Sequence, residues 1–460
     1  MKAGSMHEGM TTVERWTAFW LASIFSLRML GLFMILPVFA LYAENLRGNT
    51  PTLTGLAIGI YGFSQALFQI PFGLLSDRYG RKPMIYLGLL IFALGSMVAA
   101  LSDSIWGIIL GRALQGGGAV SAVVMALAAD LTREEHRIKV MAFIGITIGL
   151  SFAVSMILGP VLNSWIGVPG IFWLTGLLAL LGITVVRFQI PQPTVSRIHR
   201  DAEPVVSQFS RVLLDSQLLR LNFGIFILHL LLTATFVAVP LALRDAGLVS
   251  TKHWEVYLPA LLLSMVAIVP FILIAEKQHR LKPVFLGAIL LLALTEFGLL
   301  SMPDDVLKIS LLLLAFFIGF NLLEATLPSL IAKMAPPDAK GTAMGVYASS
   351  QFLGAFVGGT LGGLLHGLFG LKAVFALGTL GALAWLVVAW SMQNPRHLSS
   401  YLLNVGELNE AEAWDLAAQL SQVRGVAEAV VIATDGVAYL KVDRGALDET
   451  ALRAYAAMDR

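Results

Sequence analysis

Long apolar runs separated by short polar stretches set the plan of the chain. A bilayer crossing takes about 20 mainly apolar residues, and windows of that kind recur at 16–42, 53–75, 84–101, 104–129, 139–162 and 168–188. Gln189 to Gln217 then turns polar, with Pro191, Pro193, Pro204 and several arginines, as a linker does. Six more windows follow at 218–242, 254–275, 283–301, 307–332, 342–366 and 370–392. The pattern predicts an all-α polytopic membrane protein of twelve spans in two six-helix bundles.

After Gln393 the composition becomes that of a soluble unit. Ser400–Val405, Ala427–Ala433 and Val437–Val442 read as strands, the last two joined by the hairpin signal Thr434-Asp435-Gly436. Glu410–Ser421 and Asp448–Ala457 read as helices. Strand, helix, strand, strand, helix is a ferredoxin-like α/β plan that lacks, or barely keeps, its last strand. The expected divisions are a first bundle at 1–188, a linker at 189–217, a second bundle at 218–393 and a cytoplasmic domain at 394–460.

Composition narrows the function classes. A chain with 57% hydrophobic and 13% charged residues is far from a soluble average. It contains no cysteine, which excludes thiol chemistry, disulfides and the cysteine-held metal sites that some ferredoxin-like domains carry. No G-x-x-x-x-G-K-[ST] or H-E-x-x-H pattern and no paired nucleophile and base occur, so neither ATP use nor an intramembrane enzyme is expected. Met1 to Glu14 is polar without a cleavage-site pattern, and the run from Trp16 to Tyr42 is too long for a signal-peptide core, so it reads as a retained first helix. With the N-terminus inside, roughly nineteen Lys and Arg fall in inner loops and five in outer ones, which places both termini in the cytoplasm.

The densest chemistry lies between spans 2 and 3, in Gly73-Leu-Leu-Ser-Asp77-Arg78-Tyr79-Gly80-Arg81-Lys82-Pro83. A solvated basic loop is the plain alternative, but the spacing of glycines, acid and bases argues for a conformational switch. Gly80 permits a backbone conformation that a side chain blocks. Asp77 sits at the end where span 11 begins near Gly341, and a carboxylate at a helix N-terminus gains about 0.3–1 kcal/mol. We therefore expect Asp77 to latch the bundles when the inner side closes, with Arg81 paired to Asp130. The segment has an echo in Pro270 to Pro283, where Glu276, Lys277, Arg280 and Lys282 stand in for Asp77, Arg78, Arg81 and Lys82 without the glycine, so the later copy is expected to be looser. Arg137–Gly145 and Lys340–Ala348 form a weaker echo.

The loop resembles the signature between helices 2 and 3 of the major facilitator superfamily, with every fixed position matched. Gly31-Leu-Phe-Met-Ile-Leu-Pro37 resembles a motif of its twelve-helix drug:proton antiporter branch. Leu110-Gly-Arg112-Ala-Leu-Gln115-Gly116 resembles the intramembrane arginine motif, with Gly117 and Gly118 following. Gly145, Gly149 and Gly159-Pro160 resemble the antiporter motif, although Val161 and Leu162 depart from its glycine-rich end. Ordinary close helix packing is the alternative for these glycines. Together with the tail, Ser26 to Gly31 and Gln69 to Arg78 resemble a subgroup of that branch that ends in a ferredoxin-like domain.

The resemblance implies a proton-driven exporter of small, lipophilic or drug-like molecules in a bacterial inner membrane. It would work as a monomer by alternating access, with substrate, protons and lipid as partners, no nucleic acid and no cofactor beyond the proton gradient. A membrane-anchored ligand sensor signalling through its tail, and a proton symporter for uptake, are the alternatives.

Few ionisable residues lie within the spans. Arg28, Arg112, Glu296 and Glu324 each cost about 2.5–3.5 kcal/mol near a helix centre, so each should face a cavity or a partner. Arg112 is expected beside a protonatable acid. Glu324, followed by the kinking Pro328, is the first candidate for proton coupling and Glu296 the second. Arg28 is as readily structural, and His229 reads as a hydrogen-bonded packing residue. Gln65, Gln69, Asn163, Asn222 and Asn321 are cavity-lining candidates that interhelical hydrogen bonding explains equally well.

Overall fold

A computed structural model describes residues 10–192, 205–277, 280–301, 305–393, 398–406, 408–443 and 445–456. The spans are α1 (Thr12–Ala43), α2 (Pro51–Tyr79), α3 (Arg81–Ala100), α4 (Ile105–Asp130), α5 and α6 (134–166 and 168–188), α7 (Ser216–Asp245), α8 (Trp254–Lys277), α9 (Leu281–Leu300), α10 (Val306–Met334), α11 (Lys340–Phe369) and α12 (Leu371–Trp390). Eleven apolar stretches account for twelve crossings, because α5 and α6 run together over Lys139–Phe188. Gly167 divides them. Its φ of 67° is a backbone conformation that side chains disfavour, and Pro169 just beyond it starts the return helix.

Proline and glycine also break α1 and α4. Pro37 opens the second segment of α1, Leu36–Ala43, where its missing N–H interrupts the helix. Gly159 of α5 packs closely against the carbonyl of Met34 at that break, with Pro37 beside it. In α4, helix stops at Gly117 and resumes at Ser121. Gly116 there lies against the carbonyl of Tyr61 on α2, and Gly118 against that of Gly88 on α3. Gly31 of α1 packs on Phe92 and Thr175. For Gly145 and Gly149 the packing expectation is not met: a Cβ at either position would meet nothing within 4 Å. Their half of α5 faces open space, as neighbouring Ile146 does at 70% exposure.

Within the first half α1 packs on α5, α3 on α6 and α4, and α2 on α4; within the second, α7 packs on α11 and α12, α9 on α10 and α12, and α8 on α10. The halves meet along α2 and α11. Gly55 faces Gly359 and Gly363, Gly59 faces Phe356, and Gly62 faces the carbonyl of Phe352, so the two backbones touch directly. This seam occupies the half of the molecule remote from the basic loop. There, too, Arg244 of α7 donates to both carboxylate oxygens of Glu44 at 2.7 Å. Such a half-exposed pair contributes only about 0–1 kcal/mol, so close backbone packing dominates the closure.

The tail forms β1 (Ser399–Asn404), α13 (Glu410–Leu420), β2 (Val426–Ile432), β3 (Val437–Val442) and α14 (Glu449–Arg453). Its antiparallel sheet has the order β1-β3-β2, the split βαβ arrangement that the ferredoxin-like plan requires. The final helix is shorter than expected, and Ala457 lies outside the described residues. β3 rests on the turn between α10 and α11, where Lys441 Nζ donates to the carbonyl of Met334 at 3.4 Å. The linker carries a short helix, Phe209–Leu214, that the polar composition did not predict; its expected Pro193, Pro204, Arg197 and Arg200 lie outside the described residues. Arg211 from that helix and Gln208 before it bind Asp338 on the same α10–α11 turn.

The seam yields a direct prediction. A Cβ at Gly59 would meet the Phe356 carbonyl oxygen at 2.6 Å and its Cα at 3.1 Å, backbone atoms that cannot move independently. Gly59→Leu should therefore force the remote halves apart. In a cysteine-free chain, outer-side maleimide labelling of Phe356→Cys should rise several-fold with that change; unchanged labelling would show that the seam does not hold the closure.

Candidate functional site

Two regions carry the chemistry, one at the basic end and one at mid-membrane. At the basic end α2 stops at Tyr79 and α3 starts at Arg81, with Gly80 between them at φ 92°. This left-handed turn brings the first residues of α3 back beneath the last turn of α2. Arg81 consequently reaches acceptors on both α2 and α4. Its Nε donates to Asp130 Oδ2 at 3.0 Å, and its Nη1 donates to Ser76 Oγ at 2.7 Å and to Asp77. Arg81 and Asp130 side chains are 1% and 0% exposed, whereas Asp77 is 30% exposed. The expected Arg81–Asp130 pair is thus in place. Gly73 lies beside Ala122 of α4, and Arg78 is exposed over the ring of Tyr79.

Lys82 does something the sequence did not announce. It donates to the carbonyl of Ile190, just past the end of α6, and in the second half Lys282 donates at 2.6 Å to the carbonyl of Met392, just past the end of α12. The two copies of the loop thus cap equivalent helix ends, where backbone carbonyls lack helical partners. The side chains of Glu276 and Lys277, like residues 278–279, lie outside what is described.

At mid-membrane, both arginines are buried in the first half. Arg28 donates to Ser121 Oγ at 2.5 Å and to Gln65 Oε1, and Gln65 passes a bond to Gln69 at 3.1 Å. Arg112 donates to Gln115 Oε1 at 2.9 Å, and Gln115 donates to Ser96 Oγ at 2.7 Å. The ring of Tyr61 lies between the guanidiniums, 5.9 Å from Arg28 and 4.9 Å from Arg112. Among the described residues neither arginine meets a carboxylate within ion-pair distance, so the acid expected beside Arg112 is replaced by amides, hydroxyls and an aromatic face. Arg28, Arg112 and Gln115 tie α1, α2, α3 and α4 together.

The acids divide by environment. Glu296 is fully enclosed in the second half, accepting from Thr235 Oγ1 at 2.7 Å and pressed against Gly378 of α12. Glu324 keeps 29% side-chain exposure. Gln351 of α11 donates to it at 3.4 Å, and His229 Nε2 of α7 lies 3.9 Å from its Oε2. His229, expected as packing, is hydrogen-bonded but within this polar group. Asn321 donates to Ser264 at 2.9 Å and thus joins α10 to α8, while Asn222 is buried and Asn163 half-buried.

One turn toward the seam from Glu324, aromatic rings close the space between the halves. Phe152 of α5 meets Phe33 of α1 at 5.0 Å, Phe320 at 5.5 Å and Phe317 at 6.2 Å. Glu324 therefore sits on the basic-end side of an aromatic layer. Gln351 and the Phe layer were missed because apolar spans make every phenylalanine and lone amide look alike; the signal was Glu324 and Gln351 falling at similar depth on successive spans.

Comparison with known proteins gives a consistent answer. The Major Facilitator Superfamily pattern matches residues 21–323 and 221–431. The chain is 47% identical to the inner membrane transport protein YajR of Escherichia coli (strain K12), over 94% of this chain and 95% of that protein. The tail-bearing subgroup suggested by Ser26–Gly31, Gln69–Arg78 and the ferredoxin-like domain is the YajR type. It is 38% identical to the uncharacterized transporter BU466 of Buchnera aphidicola subsp. Acyrthosiphon pisum, covering 72% of this chain and 86% of that one. Multidrug resistance protein MdtH of Proteus mirabilis is 25% identical over 69% of this chain and 78% of its own length. Among solved structures, a bacterial homologue of the human lysosomal transporter Spinster, in an inward-facing and occupied conformation, has a TM-score of 0.65 at 13% identity, covering 83% of this chain and 96% of its own. The human organic anion transporter MFSD10 has a TM-score of 0.61 at 20% identity, over 82% and 100%. Both share the fold.

The loop geometry predicts unequal mutations. Breaking a buried ion pair costs about 3–5 kcal/mol, whereas a partly exposed partner contributes about 0–1 kcal/mol. Asp130→Asn should markedly lower the melting temperature of the purified protein, and Asp77→Asn should leave it nearly unchanged. Equal losses in a thermal-shift assay would refute this division.

Proposed function

The chain belongs to the Major Facilitator Superfamily as a multi-pass inner-membrane transporter of small molecules, and from that membership we propose that it is a proton-coupled exporter of lipophilic, drug-like substrates working by alternating access. The observation that carries the reading is the place of Glu324: a partly exposed acid of the second half, one turn from Phe320, whose ring meets Phe152 of the first half. The multidrug relative MdtH supports a drug-like substrate.

In this reading residues 1–188 and 218–393 are the two rocking units, 189–217 is the strap between them, and 394–460 is the cytoplasmic domain. The basic end is cytoplasmic. With the α2–α11 seam shut, Glu324 opens inward, gives up its proton and lets substrate enter below the Phe layer. Rocking then parts the glycine seam and closes the inner side. Asp77, freed from part of its bond to Arg81, docks at the start of α11 near Gly341, while Gly73, Arg78, Gly80, Arg81, Lys82 and Asp130 keep the loop in shape. Glu324 meets the outer solution, takes a proton, and substrate leaves. Arg28, Arg112 and Gln115 stiffen the first wall, Gly31, Pro37, Gly116, Gly159 and Pro160 hold its helices close, and Glu296 stays within the second. Gly145 and Gly149 supply contact surface only when the inner halves approach. One chain holds both walls, so a monomer suffices.

The test uses purified protein in proteoliposomes with a trapped pH dye. Adding lipophilic cations or neutral compounds should drive proton movement that Glu324→Gln abolishes. Binding of the compounds without proton movement in the wild-type protein would overturn coupling, and unaltered flux in Glu324→Gln would move the site elsewhere.

The tail's seat on the α10–α11 turn, a turn also held by Arg211 of the linker, favours a second role in which the tail restrains the cycle. Removal of residues 398–460 should then change the transport rate at least severalfold with substrate affinity unchanged; an unaltered rate would leave the tail without a part in transport.

A further inference from the structure

Glu324 is one member of a group drawn from three helices. Gln351 Nε2 on α11 lies 2.8 Å from His229 Nε2 on α7 and 3.4 Å from Glu324 Oε1 on α10. The imidazole Nε2 is 3.9 Å from Glu324 Oε2, and that oxygen is buried with no hydrogen-bond partner. A lone packing histidine has no need of such an arrangement.

We propose that His229 is the second half of the proton-carrying site, so that a proton entering at Glu324 is shared between Glu324 Oε2 and His229 Nε2. The proposal rests on the proton-coupled reading above. In the exchange the carboxylic O–H bond breaks, its electron pair stays on oxygen, and an N–H bond forms on the imidazole; a neutral acid and a neutral ring become a carboxylate and an imidazolium. Direct transfer takes heavy atoms about 2.6–3.2 Å apart, so the pair closes from 3.9 Å as the Gln351 N–H leaves the single Nε2 lone pair that it occupies at 2.8 Å.

Gln351 makes the exchange conformationally audible. While its amide nitrogen donates to both partners, His229 Nε2 is an acceptor, which is the neutral ring. Once Nε2 carries a proton it becomes a donor, and the amide must turn its oxygen toward the ring or leave. The next residue, Phe352, has its backbone oxygen against Gly62 in the α2–α11 seam. Proton occupancy is thus reported one residue from the surface whose parting is the transport movement. Beside the pair are Tyr347, one turn before Gln351 on α11 with its hydroxyl buried and unpaired, and the ring of Phe320, 5.8 Å from the imidazole and backed by Phe152.

Infrared difference spectra of the full chain in lipid, recorded across a pH series, test the sharing without requiring transport. The protonated-carboxyl band absent from Glu324→Gln should titrate in two steps in the wild-type protein, because sites coupled by more than about one pK unit titrate as a pair. His229→Gln should reduce it to one step, and His229→Asn serves the same purpose if the first variant does not fold. A band whose titration is the same with and without the histidine overturns the proposal. In the same vesicles, His229→Gln should lower compound-driven proton flux at least about tenfold and flatten its pH profile while compound binding persists. Wild-type flux and pH profile in that variant overturn the shared site but leave antiport standing. A shared titration in a wild-type protein that moves no protons does the reverse.

Discussion

Hydrocarbon offers no partner to a polar group, and the arrangement of this chain follows from that constraint. A charged or amide side chain placed in a span is stabilised by a partner within the protein, and several here find theirs in another helix. Arg28 joins α1 to α2 and α4, Gln115 joins α4 to α3, Glu296 joins α9 to α7, and Asn321 joins α10 to α8. These bonds fall within one half or the other. Polar pairing thus makes each half rigid and leaves the contact between halves to packing.

That contact is of a different kind. Lipid tails are as apolar as leucine, so helices associate in a bilayer through close van der Waals fit rather than through exclusion of water. The glycines of α2 and α11 allow backbone to meet backbone, a contact that depends on shape alone and separates without stranding a charge. Glu44 and Arg244 add a half-exposed pair at its rim, which water can replace on opening. A seam of this construction suits the opening movement proposed for transport.

The internal repeat gives the basic end its order. Lys82 and Lys282 close equivalent helix ends on carbonyls at Ile190 and Met392, although only the first copy keeps its glycine. The asymmetry has a place in the fold: the first copy lies at the inner end of α2, the helix that meets α11 at the seam. The second half instead receives the linker and the tail on its α10–α11 turn.

Much of this was legible from residue order. Twelve apolar windows, the basic bias of one side, the Gly80 turn and the tail's strand and helix order all depend on local composition or short-range spacing, and physical chemistry acts on them before the chain is packed; the Arg81–Asp130 pair, 49 residues apart, was expected from the position of the two residues at the same end of neighbouring spans. Even the fused α5–α6 stretch was divided correctly, because Gly167 and Pro169 carry the break in their own backbone preferences. What depended on tertiary packing was partnership. Arg112 faces Gln115 and Tyr61 instead of an acid, Glu296 is enclosed whereas Glu324 is partly open, and His229 joins Glu324 and Gln351 from helices distant in sequence. Gly145 and Gly149 carry a packing motif, yet a side chain at either would meet no neighbour within 4 Å. In a span every residue shares the same apolar background, so helical period and hydropathy set depth but not azimuth, and only the packed bundle decides which neighbour a polar group meets.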